Sequence, residues 1–301
     1  MSLRISFKTS PQGVTWQVLD ATWRRAGELS ADGGPTAFDG GWMNDHLTDM
    51  DPTVPGPSLE AMTLLATLVH HVPGMRVGHA VLSNTFRHPV LVAKAAVVMD
   101  HATGGNFVLG LGAGWFEEEH APFGIDLPPI GERISRLESS VDTLRALFGP
   151  EAAGAPGVTR DDPYYPLRGA TNLPAPLTRG GPPIFLGGQK PRGIRLAARA
   201  AQGWLLPGTE AGDDAYFREK RDRIVAALED AGRDPSTFEL IGQVSTGADA
   251  TSRARALEQS HRLVDAGATE IVLGMPAALG PAGLDDVHRD ILLPLREANG
   301  R

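Results

Sequence analysis

The residues best suited to moving a proton are Asp45 and His46, in the run Asn44-Asp45-His46-Leu47. An imidazole titrates near neutral pH and can both give and take a proton. A structural histidine hydrogen-bonded to backbone would give the same pair of letters. A second candidate is Gly187-Gly188-Gln189-Lys190-Pro191-Arg192. Glycines let backbone N–H groups approach an anion, a helix start adds its dipole, and Lys190 or Arg192 adds charge. A tight strand-to-helix turn needing positive φ would also place two glycines there. A third is Gly110-Leu111-Gly112-Ala113-Gly114-Trp115. It leaves backbone at Ala113 and Gly114 uncovered, so that a flat ring can lie close with Trp115 as a wall. Close strand–helix packing with Trp115 in the core is the alternative. Glu117, Glu118 and Glu119 follow. A glycosidase needs two convergent carboxylates, whereas three consecutive glutamates at a helix start read as a solvated face favoured by the dipole. No metal site is expected, because His70-His71, His79, His88, His101 and His120 show no ligand spacing.

Short apolar runs alternate with helical patterns and could bring these groups together. Candidate strands start at Leu3, Phe38, Met75, Asn106, Pro183, Gly203, Phe238 and Thr269. Ile134, Leu137, Val141, Leu144 and Leu147 carry a helical period after Gly131. Pro89 opens another helix, which runs through Ala95 and Val98. Such an alternation over 301 residues predicts an α/β (β/α)8 barrel. The competing doubly wound sheet lacks its fingerprint, since Trp115 stands where a third glycine belongs. Residues 149–182 are rich in Pro and Gly and too long for an ordinary loop. They are expected to be an insertion before the fifth strand, with a short hairpin. One domain over 1–301 is expected. In a barrel the site forms at the C-terminal ends of the strands. The segments above fall there, with Ser83 and Asn84 after the third strand and Ser245 and Thr246 after the seventh.

Composition narrows the classes. The net charge of −8 gives no electrostatic reason to bind nucleic acid. The absence of cysteine removes disulfides, thiolate metal sites and cysteine nucleophiles. No apolar run reaches bilayer length, and Met1 to Phe7 lacks the features of a signal peptide. A cytoplasmic protein without a membrane or nucleic-acid partner is expected.

Several motifs occur together and in order. They include Trp42-Met43-Asn44-Asp45-His46-Leu47, Arg76-Val77-Gly78-His79-Ala80-Val81, Arg87-His88-Pro89 and Gly104-Gly105-Asn106-Phe107. Leu109 to Trp115, Glu119, Phe123-Gly124, Arg133, Arg136-Leu137-Glu138 and Pro182 to Gly188 complete the set. It resembles the luciferase-like monooxygenase superfamily, and within it the deazaflavin-dependent oxidoreductases. The resemblance implies a (β/α)8 barrel, usually dimeric, holding coenzyme F420 or FMN. It implies that His46 is catalytic or touches the cofactor, with Asp45 orienting or contacting it. Gly187 and Gly188 would meet the cofactor phosphate, and a non-proline cis peptide at Ala80-Val81 would prop the ring. Asp45 replaces a histidine of bacterial luciferases, which argues against luciferase chemistry. Ala113 replaces the catalytic glutamate of the deazaflavin sugar-phosphate dehydrogenases.

The expected function is hydride transfer between coenzyme F420 and a small organic substrate, in a homodimer. Catalysis falls to His46 and Asp45, and cofactor binding to Asp45, Ala80, Val81, Ala113, Gly114, Trp115, Gly187, Gly188 and Lys190. The alternative is an FMN-dependent monooxygenase using oxygen. A non-catalytic flavin-binding or cofactor-free barrel is a further reading, and a glycosidase or metal hydrolase another. The cluster Lys190, Arg192 and Arg195 favours the deazaflavin, whose charged tail extends beyond the phosphate. Residues 40–58 and 149–182, where the substrate loops fall, give no chemical hint beyond being partly apolar.

Overall fold

The computed structural model describes residues 2–50 and 56–300. The stretch 51–55 of the expected substrate loop lies outside the described residues.

In chain order, β1 (Arg4–Thr9), α1 (Trp16–Leu29), β2 (Gly40–Met43), α2 (Ala61–Leu68) and β3 (Arg76–His79) open the alternation. Next come β4 (Leu82–Ser83), α3 (Pro89–Ala102), β5 (Phe107–Gly112) and α4 (Ile130–Phe148). After β6 (Val158–Arg160) and β7 (Leu167–Ala170), the pattern resumes with β8 (Ile184–Leu186), α5 (Pro191–Ala200), β9 (Gly203–Leu205) and α6 (Asp214–Asp230). It ends with β10 (Glu239–Ser245), α7 (Ala250–Asp265), β11 (Glu270–Gly274), α8 (Gly280–Val287) and α9 (Leu293–Ala298).

Eight parallel strands close into a barrel in the order β1, β2, β3, β5, β8, β9, β10, β11, with β11 returning to β1. Each begins within two residues of its expected start. β4 pairs with β5 and continues the line of β3 beyond Ala80-Val81. The 149–182 insertion stands outside the alternation and carries the β6–β7 antiparallel hairpin.

The barrel interior is filled in layers. At its N-terminal end Arg4 and Arg76 share Glu239 at 2.6 Å each, and Arg76 reaches Glu270 at 3.1 Å. Glu270 also accepts from Ser6 Oγ and Trp42 Nε1, both at 2.7 Å, so its buried carboxylate is fully paired. Above this lie Trp42, Val108, Phe185, Leu205, Ile241 and Val272, with Ala80 and Val81 packed against them. A larger apolar shell joins the outer faces of the strands to the helices. The α4 period is of this kind: Leu137, Val141, Leu144 and Leu147 are buried. α3 begins as expected, with Pro89 at its start and His88 Nδ1 accepting from Val90 N–H at 3.3 Å.

Candidate active site

The loops that follow β2, β3, β5 and β8 meet at the C-terminal mouth. His46, just past β2, turns its Nδ1 to the carboxylate of Glu119, 3.0 Å from Oε1 and 3.1 Å from Oε2. Glu119 also accepts from Leu47 N–H at 2.8 Å and is only 2% exposed. This corrects the expectation of a solvated glutamate run. Glu117 and Glu118 are exposed, but the three form a 3-10 turn that carries the third inward. Trp115 meets the imidazole edge-on, with centroids 6.0 Å apart. Its ring is 55% exposed, so the core alternative for Trp115 does not hold.

Asp45 has a different setting. It is buried, its two oxygens take Arg87 in a bidentate pair at 2.6 and 2.9 Å, and Oδ2 also accepts from Ser83 N–H at 2.8 Å. Arg87 reaches Glu60 as well. Burial works against the Arg87 charge, but the hydrogen bonds and charges of Asp45 and Glu60 reverse that and raise its pKa. Asp45 thereby ties the end of β2 to the segment after the bulge. An open carboxylate at the mouth, available to a cofactor, is not what the fold provides at this position.

The bulge is formed by Ala80 and Val81, joined by a cis peptide. Val81 faces three glycines. A Cβ on Gly112 would lie 2.7 Å from Val81 Cγ2, and one on Gly110 only 1.8 Å from the His79 carbonyl oxygen. Those two glycines are required by packing. Gly187 is not: its Cβ would sit 3.6 Å from Val81 Cγ2, an ordinary contact, and its φ is not positive. Its missing side chain leaves room beside the bulge, while its N–H donates to the Leu111 carbonyl at 3.2 Å. Gly188 is required by the helix behind it, since its Cβ would come within 2.9 Å of Gly193 Cα. The positive-φ explanation fails for both, and the Gly188 carbonyl accepts from Trp204 Nε1 at 2.8 Å. Ala113 and Gly114 line the same mouth. Gly114 has φ +79°, and its carbonyl accepts from Arg133. Beside it lies a cavity of about 210 Å³ lined in part by Arg87, His88, Arg133, Arg136 and Tyr165.

Lys190 is exposed at the start of α5. Arg192, counted with it as a free cation, is instead bound to Glu138 at 2.5 Å, Ser135 Oγ at 2.9 Å and the Gly131 carbonyl at 3.1 Å. It braces α5 against α4.

Two histidines near the mouth are structural. His120 is buried between the Phe116 carbonyl and Thr85 Oγ1, at 2.7 and 2.8 Å. His79 is fully buried, and burial lowers its pKa to about 4. Among the described residues one group of donor atoms is close enough to share a cation: Asp20, His70 and His71, within 4.8 Å of one another. It lies on the outer shell before β3, away from the mouth, and Asp20 is already held by His71 and Arg24 at 2.7 and 2.6 Å. Among the described residues no helix is long and apolar enough to cross a membrane.

The family model for luciferase-like monooxygenases matches residues 3–288. The chain belongs to this family. Over 211 residues it is 28% identical to a phthiodiolone/phenolphthiodiolone dimycocerosates ketoreductase of Mycobacterium sp. (strain JLS), a match covering 64% of this chain and 53% of that protein. Over 212 residues it is 29% identical to an F420-dependent glucose-6-phosphate dehydrogenase of Microbacterium testaceum (strain StLB037), covering 69% of this chain and 59% of that protein. The chain thus spans a little over half the length of these relatives. The solved structure of an F420-dependent secondary alcohol dehydrogenase with an F420-acetone adduct superposes with a TM-score of 0.77. That match is 16% identical and covers 97% of this chain and 99% of the other, a likeness of fold.

Proposed function

We propose that this luciferase-like oxidoreductase moves a hydride between coenzyme F420 and a carbonyl or alcohol carbon of a small organic substrate. The observation that carries this reading is the His46–Glu119 pair at the barrel mouth. The two sequence relatives, a ketoreductase and an F420-dependent dehydrogenase, support the substrate class and the cofactor.

The residues present fit a flat ring with a phosphate. Gly187 leaves room beside the Ala80-Val81 bulge for a ring, and the α5 start with Lys190 offers N–H groups, a dipole and a charge to an anion. When bound, the cofactor supplies the hydride chemistry. The protein's part is proton handling and position. With Nδ1–H donated to Glu119, His46 keeps Nε2 as the atom that gives or takes the substrate proton. Glu119 fixes the tautomer and offsets the charge of the imidazolium. Asp45 positions the bulge through Ser83 and Arg87, and Trp115 offers an exposed wall.

A second reading, an FMN-dependent monooxygenase using oxygen, is favoured by the engagement of Arg192 with Glu138, which leaves less free charge for a deazaflavin tail. Side-by-side fluorescence titration with F420 and FMN separates the two. Tight F420 binding with weak FMN binding supports the first, and the reverse order replaces it with the second.

A further inference from the structure

Lys8 takes no part in the site described so far. It lies at the C-terminal end of β1, in register with Trp42 of β2 and Gly274 of β11. Trp42 belongs to the interior core, so Lys8 shares the inward face. Its side chain crosses Gly274, whose Cβ would come within 3.3 Å of Lys8 Cε, and reaches the Gln243 carbonyl oxygen. Gln243 is buried and held from behind by its own donation to the Leu206 carbonyl. Its amide oxygen is therefore the end turned to Lys8.

The charge balance around this ammonium is unusual. Among the described residues its one hydrogen-bond partner is a neutral amide, and it forms no ion pair. β2 presents Trp42, β11 presents Gly274 and β10 presents Gln243, none of them ionisable. The acids deeper in the barrel, Glu239 and Glu270, are already engaged by Arg4 and Arg76. Burial lowers the Lys8 pKa to about 8. A largely desolvated cation with one neutral oxygen partner is costly, and two of its three N–H donors have no partner among the described residues. The chain has 24 arginines and only four lysines, so a lysine here stands out. Lysine, unlike arginine, is a compact point charge with rotatable donors.

We propose that Lys8 is the oxygen anchor of the substrate site, its ammonium receiving the carbonyl oxygen of a ketone, or the hydroxyl of the secondary alcohol it becomes. This rests on the oxidoreductase reading and narrows it to substrates that present such an oxygen to the barrel floor. As the carbonyl carbon gains a hydride, the π electron pair moves onto oxygen. Lys8 stabilises that negative charge, and His46 Nε2 supplies the proton that completes the alcohol. The Lys8 proton is not consumed.

Four lysines make the test direct. Lysine labelled with 13C at Cε keeps every N–H donor and gives each of the four lysines its own NMR signal, and Lys8→Arg assigns the Lys8 signal by its loss. Wild-type protein, with and without F420, is titrated with acetone and separately with acetate. The expected result is a saturable shift of the Lys8 signal with acetone, with the Lys94, Lys190 and Lys220 signals unmoved. No shift, or an equal drift of all four signals, overturns the anchor. A response to acetate alone overturns the ketone class in favour of a carboxylate. F420 affinity, read by fluorescence in the same samples, is expected to be unchanged in Lys8→Met. Failure of the wild type to bind F420 would sink the cofactor reading while the acetone response still reports on Lys8.

Discussion

His46 Nδ1 lies 3.0 Å from Glu119 Oε1, although 73 positions separate the two residues in the chain. The carboxylate is buried and holds the Leu47 N–H with the same group, so one acid fixes both the imidazole and the backbone beside it. His46→Ala should leave cofactor binding unchanged and lower turnover by roughly 10²–10⁴, the range for a lost general acid–base. Glu119→Gln should fall in the same range with the imidazole still present. An amide N–H facing Nδ1 holds the ring as the neutral Nε2–H tautomer and cannot offset the imidazolium charge, so the acid that gives the proton to the alcohol oxygen is lost. Deazaflavin-coupled turnover with short ketones measures both. Full activity in Glu119→Gln would show that the tautomer is not held by this pair.

The two glycines after β8 should separate. Gly188→Val drives side-chain atoms into Gly193 Cα and should destabilise the apo protein by about 1–3 kcal/mol or more. Gly187→Ala meets only ordinary contacts. It should keep the melting temperature and weaken cofactor binding, read by fluorescence titration. Unchanged affinity in Gly187→Ala would remove the cradle from the site.

These residues also show how far the sequence could be read. Strands such as β8 and β9 are legible because they are short apolar runs bounded by Gly, Pro and polar residues. The period of α4 was legible because its buried face repeats at helical spacing. Glu119 was misread because three adjacent acids resemble a solvated helix start, and only the 3-10 turn reveals which one points inward. Its place in the family's motif order was the available signal. Lys8 is hidden in the sequence for a related reason. Ser6 and Lys8 alternate with Ile5 and Phe7, and in a sequence the polar interior of a barrel mouth looks the same as a solvent face. The paired state of Arg192 depends on Glu138, 54 positions away, which no local pattern carries.

Asp45 should matter chiefly to the fold. Asp45→Asn leaves the largely buried Arg87 guanidinium short of a partner and should cost about 3–5 kcal/mol in chemical denaturation. Adding Arg87→Met should recover part of the loss, because the uncompensated charge is gone. A strictly additive double variant would show that the pair does not act as a unit.

Acid should loosen the same region in two steps. His79 is fully buried below the bulge, donates Nε2–H to the Ala61 carbonyl at 3.3 Å and has no partner at Nδ1. Burial lowers its pKa from 6.5 to about 4, against the opposing pull of the Asp45 charge. Between those values the unfolded chain binds a proton that the folded chain refuses, so stability rises with pH there and is lost as pH falls from 6.5 toward 4. Glu60 acts lower. Burial raises its pKa, but bonds from Thr63 and Arg87 outweigh that and bring it from 4.5 to about 2. Its contribution is full above 4.5 and disappears as pH falls through that window. Urea midpoints measured across pH should therefore decline first with His79 and then with Glu60. Replacing His79 by Leu should flatten the upper segment and leave the lower one, while Glu60→Gln should do the opposite. An unchanged upper segment in His79→Leu would assign the first acid step to another group.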